Sequence, residues 1–128
     1  MPDSVARFLL VGAGGFLGSV ARYALAGLVQ RLGGAGFPWG TFAVNVLGSF
    51  VLGVVLSLSL ERGVVGAPLR LFLAVGICGG FTTMSTFSYE TLVLLAEGSS
   101  LAAAANVVGT ILLCLAAVWA GLAAGRIL

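Results

Sequence analysis

Residues 76–88 read Gly-Ile-Cys-Gly-Gly-Phe-Thr-Thr-Met-Ser-Thr-Phe-Ser, and they lie inside the third of four long apolar runs. Adjacent glycines weaken a helix, and the five serines and threonines between positions 82 and 88 compete for its backbone hydrogen bonds. In hydrocarbon, irregular backbone persists only where protein buries it or where it lines a wet cavity or an ion site. The stretch therefore predicts a broken helix with a candidate ion site. The alternative is a regular helix whose hydroxyls bond to their own carbonyls.

The composition indicates an integral membrane protein. Of 128 residues, 60% are hydrophobic and 8% are charged, whereas soluble domains are about a quarter charged. Six arginines against four acidic residues give a net charge of +2, which is too small to indicate a nucleic-acid partner. The chain has no histidine and its four acids are scattered, so we expect neither a zinc site nor a catalytic triad. An enzyme is the least expected class.

The apolar runs predict one all-α domain, residues 1–128, in the cell membrane. Four transmembrane helices are expected at about 7–32, 40–60, 69–95 and 101–127, since about 20 apolar residues span a bilayer. Four spans place the N-terminus, the second loop and the C-terminus on one side. The few arginines of that side give only a modest positive-inside bias, which favours termini inside.

The first span carries a small-residue face and one arginine. Gly14 and Gly18, like Gly15 and Ser19, are four residues apart, a spacing that lets another helix approach closely. Arg22 lies well inside the apolar run, where an arginine costs about 2.5–3.5 kcal/mol on insertion scales. It either snorkels to the interface or places a positive charge at the mouth of an anion path.

Two further spans carry polar stripes at helical spacing. On span two, Asn45 shares one face with Thr41 and Ser49. A mid-membrane amide is costly unless it is bonded, and it marks either a helix contact or a pathway. Span four carries a second stripe with the same four-residue spacing, formed by Asn106, Thr110 and Cys114.

Three segments together resemble the small fluoride channels of the Fluc (CrcB) family. Residues 14–23 read Gly-Gly-Phe-Leu-Gly-Ser-Val-Ala-Arg-Tyr, and residues 40–50 read Gly-Thr-Phe-Ala-Val-Asn-Val-Leu-Gly-Ser-Phe. Residues 79–90 read Gly-Gly-Phe-Thr-Thr-Met-Ser-Thr-Phe-Ser-Tyr-Glu. The resemblance covers all four spans in order, and three separate motifs make it specific.

The resemblance implies a passive, fluoride-selective channel that exports fluoride and lowers its cytoplasmic concentration. It implies an antiparallel, dual-topology homodimer in the lipid bilayer, with the third helix of each copy broken at its centre on the twofold axis. A structural sodium ion would be held there by the backbone carbonyls of Gly79 and Thr82 from both copies. Two separate fluoride pathways would run through such a dimer.

The resemblance also carries over pathway residues. It places Arg22 at the entry and makes Glu90 the acid that follows the central motif. Two positions depart from the family pattern, because Met84 stands where a phenylalanine is usual and Cys114 replaces a hydroxyl. The residues assigned to the fluoride pathway are Asn45, Met84, Phe87, Thr110, Cys114, Thr41 and Ser85.

This assignment agrees with the chemistry of fluoride. The ion is small and strongly hydrated, so a selective path must replace its water with donors such as Asn45 and the hydroxyls. The ring edge of Phe87 is electropositive and can meet an anion. Sodium prefers oxygen ligands, which a broken helix supplies. No ATP-binding loop is present in the sequence, so transport would be downhill.

Two other membrane classes stay open from the sequence. A small proton-coupled four-helix exporter of the multidrug type needs a membrane-embedded carboxylate, typically in span one, and Glu90 in span three is the only candidate. A non-transporting assembly subunit, held together by its glycine faces, would not need polar stripes on spans two and four.

Overall fold

The computed structural model describes residues 3–128, which form a bundle made only of helices. The helices are α1 (Ser4–Gly33), α2 (Trp39–Glu61), α3 (Ala67–Ala96) and α4 (Ser100–Ile127). Each is long and apolar enough to cross a membrane. The predicted all-α class with four spans is thereby confirmed. The first two residues of the predicted domain lie outside the described part of the chain.

Helix α3 consists of two helical halves, 67–81 and Met84–Ala96. Between them Thr82 (φ −95°, ψ 158°) and Thr83 (φ −152°, ψ 114°) have extended backbone. The Thr83 side chain is the N-cap of the second half, because its Oγ1 accepts a hydrogen bond of 3.2 Å from the Thr86 N–H. Threonine is a favoured N-cap, so the sequence itself restarts the helix at Met84.

Helix α1 packs against the first half of α3 through glycine. A Cβ placed on Gly76 would lie 2.8 Å from Gly14 Cα, and one placed on Gly80 would lie 2.7 Å from the Gly15 carbonyl oxygen. The close approach predicted for the small-residue face of α1 is confirmed. Its partner is α3 of the same chain, so this face is buried within the protomer and gives no argument for an assembly of several copies.

Helices α2 and α4 pack equally closely. A Cβ on Gly53 would lie 3.0 Å from Gly121 Cα, and one on Gly125 would lie 2.6 Å from Ser57 Cβ. Few large side chains are buried in the protomer, whereas Phe8 and Leu101 are 78% and 86% exposed. Small residues inside and large apolar ones outside are typical of helix packing in a bilayer, where lipid is as apolar as leucine.

Polar contacts organise the two ends of the bundle. The Gln30 side chain donates to the Phe37 carbonyl at 3.0 Å and accepts from the Gly40 N–H at 3.1 Å, which fixes the α1–α2 loop. At the other end, Arg126 Nε lies 2.7 Å from Glu61 Oε2, an exposed pair of small energetic value. The pair shows that the end of α2 and the C-terminus lie on the same side, as four spans require.

We predict that Gly76→Ala lowers the free energy of unfolding by about 1–3 kcal/mol, because the new methyl group would overlap the α1 backbone. Denaturant titration in mixed micelles measures the effect. The matched control is Gly12→Ala, whose Cβ would have no atom within 4 Å and whose helix propensity improves. Equal losses in both variants would contradict the glycine contact.

Candidate ion pathway

A groove of about 470 Å³ runs between α2, α3 and α4. Most of its wall is apolar, with amide, hydroxyl and sulfur groups at intervals. Seven of the predicted site residues line it: Asn45, Gly79, Thr82, Met84, Phe87, Thr110 and Cys114. Residues about 65 positions apart in sequence therefore meet on one surface at the level of the break in α3.

Three predicted pathway or entry residues are not part of the groove lining. Thr41 is buried one turn before Asn45 on α2. Ser85 is exposed beside the break, with its Oγ 3.2 Å from Thr83 Oγ1. Arg22 lies on the α1 side of the break. Their assignment to a pathway stays a prediction.

Asn45 bonds to both polar atoms of the Thr83 backbone. Its Nδ2 donates to the Thr83 carbonyl at 3.2 Å, and its Oδ1 accepts from the Thr83 N–H at 2.8 Å. A carboxamide has two N–H groups, so one remains after this pairing. Because Asn45 also lines the groove, a helix contact and a pathway role are compatible in this residue.

The break removes the usual donors from two carbonyls. In a continuous helix the carbonyl of Gly79 accepts from the Thr83 N–H, and that of Thr82 accepts from the Thr86 N–H. Here the Thr83 N–H donates to Asn45 and the Thr86 N–H donates to Thr83 Oγ1. The carbonyls of Gly79 and Thr82 are thus left to find other partners.

Arg22 supplies a partner for the neighbouring carbonyl. Its Nε donates to the Gly80 oxygen at 2.9 Å, and the side chain is half-buried. Gly80 lies near the middle of α3, so the guanidinium is directed to the break rather than to the membrane interface. A cation here also complements the negative end of the first half-helix.

Behind the groove, a buried amide connects α4 to the second half of α3. Asn106 is 1% exposed, donates from Nδ2 to Thr91 Oγ1 at 3.0 Å and accepts from Thr110 Oγ1 at 3.2 Å. Thr91 in turn donates to the Phe87 carbonyl at 2.8 Å. The sequence stripe contained Asn106, but nothing in the sequence related it to Thr91.

Other contributors were missed by sequence reasoning. Thr83, which fixes both Asn45 and the helix restart, was one of five hydroxyl residues with no feature to single it out except the Thr-x-x-Thr spacing that ends at Thr86. Cys78 also lines the groove while being only 4% exposed.

Glu90 lines a second, smaller cavity of about 250 Å³ with the α1–α2 loop and Glu97. One carboxylate oxygen of Glu90 is buried without a hydrogen-bond partner. None of the residues that line this cavity also lines the groove. Across residues 3–128, the acidic and cysteine side chains form no cluster of three that could hold a metal ion, so a cation at the break would depend on backbone oxygens.

Comparison with known proteins identifies the relatives of the chain. A family model described as "CrcB-like protein, Camphor Resistance (CrcB)" matches residues 9–122. A protein of Geobacter sulfurreducens is 48% identical over 118 residues, covering 92% of this chain and 95% of its own. One from Opitutus terrae is 51% identical over 116 residues, covering 89% and 88%. One from Thermus thermophilus is 61% identical over 92 residues, covering 72% and 73%. All three relatives are named fluoride-specific ion channel FluC.

We predict that Asn45→Asp lowers the free energy of unfolding by about 1–3 kcal/mol. A carboxylate cannot donate to the Thr83 carbonyl and would place two acceptors face to face. Denaturation in detergent micelles measures the loss. Ser49→Ala, one turn further along the same groove wall, is the matched control and should change little. Equal stabilities of the wild type and Asn45→Asp would contradict the contact.

Proposed function

Because the chain belongs to the CrcB family, we propose that it is a passive, fluoride-selective ion channel that exports fluoride down its gradient. The main support is the groove, where an amide N–H, hydroxyls and an aromatic ring line one path beside a helix break. These groups can replace the hydration shell of a small anion without binding it through a fixed positive charge.

Membership of the family also gives the class and location of the chain. It is a multi-pass protein of the cell membrane and not an enzyme. Export down the gradient would by itself lower the cytoplasmic fluoride concentration. The proposed channel adds no energy source.

The groups that line the groove would contact the anion from different walls. Asn45 would offer its remaining Nδ2–H beside the break, and Phe87, which is 9% exposed, would present a ring edge to the anion. Thr110 and Cys114 line the α4 side. Met84 is 71% exposed in the isolated protomer and occupies the other aromatic position of the family with a flexible thioether.

A structural sodium ion would be bound at the break. The carbonyls of Gly79 and Thr82 fit this role because their usual N–H donors are diverted to Asn45 and Thr83. Carbonyls of interrupted helices coordinate sodium in other membrane proteins. Arg22 donates to the Gly80 carbonyl, so it would not compete with sodium for the Gly79 and Thr82 oxygens.

The exposed side of the break supports a second copy as the partner. Gly79, Met84 and Ser85 are exposed in the protomer, next to backbone that has lost its helical bonds. Irregular backbone does not face lipid, and a second copy on this side would keep lipid away from it. An inverted copy would add the same two carbonyls from the opposite side, and the weak arginine bias permits both orientations.

A proton-coupled exporter is the second candidate, because Glu90 has a buried carboxylate oxygen without a partner. In such an exporter the carboxyl must lie in the transport path. Here it lines the smaller cavity, which is separate from the groove. The geometry therefore favours the channel.

We predict that proteoliposomes containing the protein release trapped fluoride rapidly and release chloride at the rate of empty vesicles. Electrodes selective for fluoride and for chloride measure the two effluxes. Potassium and valinomycin are added so that a membrane potential does not stop the anion flow. Dependence of the efflux on an imposed proton gradient would instead favour the exporter. Absence of fluoride release by correctly folded protein would contradict the channel.

A matched pair of variants refines the flux measurement. Phe87→Ile removes the ring edge and should slow release at least about tenfold, the scale of one lost anion contact. Met84→Phe restores an aromatic ring and should conduct like the wild type. Normal conduction by Phe87→Ile would mean that the aromatic contact is dispensable in this chain.

We predict that the chain inserts in both orientations. A cysteine at Val64, an exposed position of the α2–α3 loop, would be labelled by a membrane-impermeant maleimide from either side of the membrane. Cys78 and Cys114 would first be replaced by alanine and serine, to remove background labelling. Labelling from one side only would contradict the inverted dimer while leaving the channel proposal in place.

A further inference from the structure

Thr110 lines the groove, but its only proton is already committed. The hydroxyl donates to Asn106 Oδ1 at 3.2 Å, in an environment where Thr110 is 7% and Asn106 is 1% exposed. A hydroxyl has one O–H donor and two acceptor lone pairs. In this arrangement Thr110 therefore presents only lone pairs to the groove, and lone pairs repel an anion.

A second arrangement of the same atoms reverses this. If the Asn106 amide turns by half a rotation, Nδ2 faces Thr110 and Oδ1 faces Thr91. Nδ2 then donates to Thr110 Oγ1, which frees the Thr110 proton for the groove. The Thr91 hydroxyl donates to Asn106 Oδ1 and gives up the Phe87 carbonyl, which keeps its helical N–H partner. Every buried amide and hydroxyl atom of the network has a partner in both arrangements.

We propose that Asn106 is a positioning residue, a two-state hydrogen-bond relay that decides whether Thr110 donates to an anion in the groove. The proposal rests on the fluoride channel proposed above and names a residue that the groove lining does not contain. With no anion near, Thr110 donates to Asn106. When fluoride arrives, the amide turns and Thr110 donates to the ion.

The relay has two consequences for the pathway. An anion must gain more from the Thr110 proton than Asn106 loses by turning, which favours fluoride, a strong acceptor, over weaker acceptors of similar charge. The turn also moves the Thr91 hydroxyl off the Phe87 carbonyl, so the two walls of the groove respond together. Both effects come from side chains behind the surface that the ion touches.

Two substitutions at Asn106 separate a relay from a purely structural role. At alkaline pH, Asn106→Asp keeps the size of the side chain and offers Thr110 only acceptor oxygens, which holds the Thr110 proton away from the groove. Asn106→Leu removes the competing acceptor and leaves that proton free. The relay therefore predicts about tenfold slower fluoride efflux for Asn106→Asp and efflux within about threefold of wild type for Asn106→Leu.

A structural role predicts the opposite order, since leucine removes every hydrogen bond of the buried amide and aspartate keeps the bond from Thr110. Slower efflux in Asn106→Leu than in Asn106→Asp would thus overturn the relay. The carboxylate charge is controlled with Thr110→Val. In that background Asn106→Asp should have no further effect, and an undiminished effect would mean that charge, not Thr110, is responsible.

A spectroscopic measurement tests the relay without flux. In ¹⁵N-labelled protein in micelles, the side-chain amide resonances of Asn106 should shift when sodium fluoride replaces sodium chloride. They should not shift in Thr110→Val, which has no hydroxyl to pass from the Asn106 amide to the ion. A wild-type resonance that ignores fluoride would overturn the relay. Wild-type vesicles that release no fluoride would contradict the channel, and a conducting wild type with the reversed variant order would contradict the relay alone.

Discussion

The backbone groups freed at Thr82 and Thr83 cannot turn to water, and this constraint organises the molecule around α3. Asn45 bonds the Thr83 peptide from α2, and Arg22 bonds the Gly80 carbonyl from α1. Thr83 itself caps the next half-helix. Each of these contacts supplies a partner within hydrocarbon, where an unsatisfied group costs several kcal/mol. The glycine contacts bring α1 close enough for Arg22 to reach.

The same break creates two electrostatic ends in one place. The first half of α3 directs its C-terminal carbonyls at the break, which favours a cation, and the second half directs its N-terminal N–H groups there, which favours an anion. The proposed sodium ion and the proposed fluoride path would use one end each. A bound cation would also offset the cost of bringing an anion into a low-dielectric region. One interruption of one helix can thus serve both ions.

Much of this architecture follows from the sequence because membrane spans are long and apolar, and because small residues four apart predict close packing. The irregular stretch around Thr82 was likewise visible in its glycines and hydroxyls. The pairing of Asn45 with Thr83 was not, because it depends on how α2 is rotated against α3. Asn106 and Thr91 were hidden for the same reason. Polar periodicity shows which face of a helix is polar but not which helix that face meets.

We propose that the break leaves the carbonyls of Gly79 and Thr82 to a cation shared by two inverted copies. An experimental structure of the protein in lipid nanodiscs, determined in sodium at a resolution that shows ordered ions, tests it most directly. We expect one ion on the twofold axis, coordinated by these carbonyl oxygens from both copies. Thr82→Val, which keeps the carbonyl, should retain the ion. Apolar side-chain packing on the axis, or a single orientation of the chain in the assembly, would contradict the shared cation site.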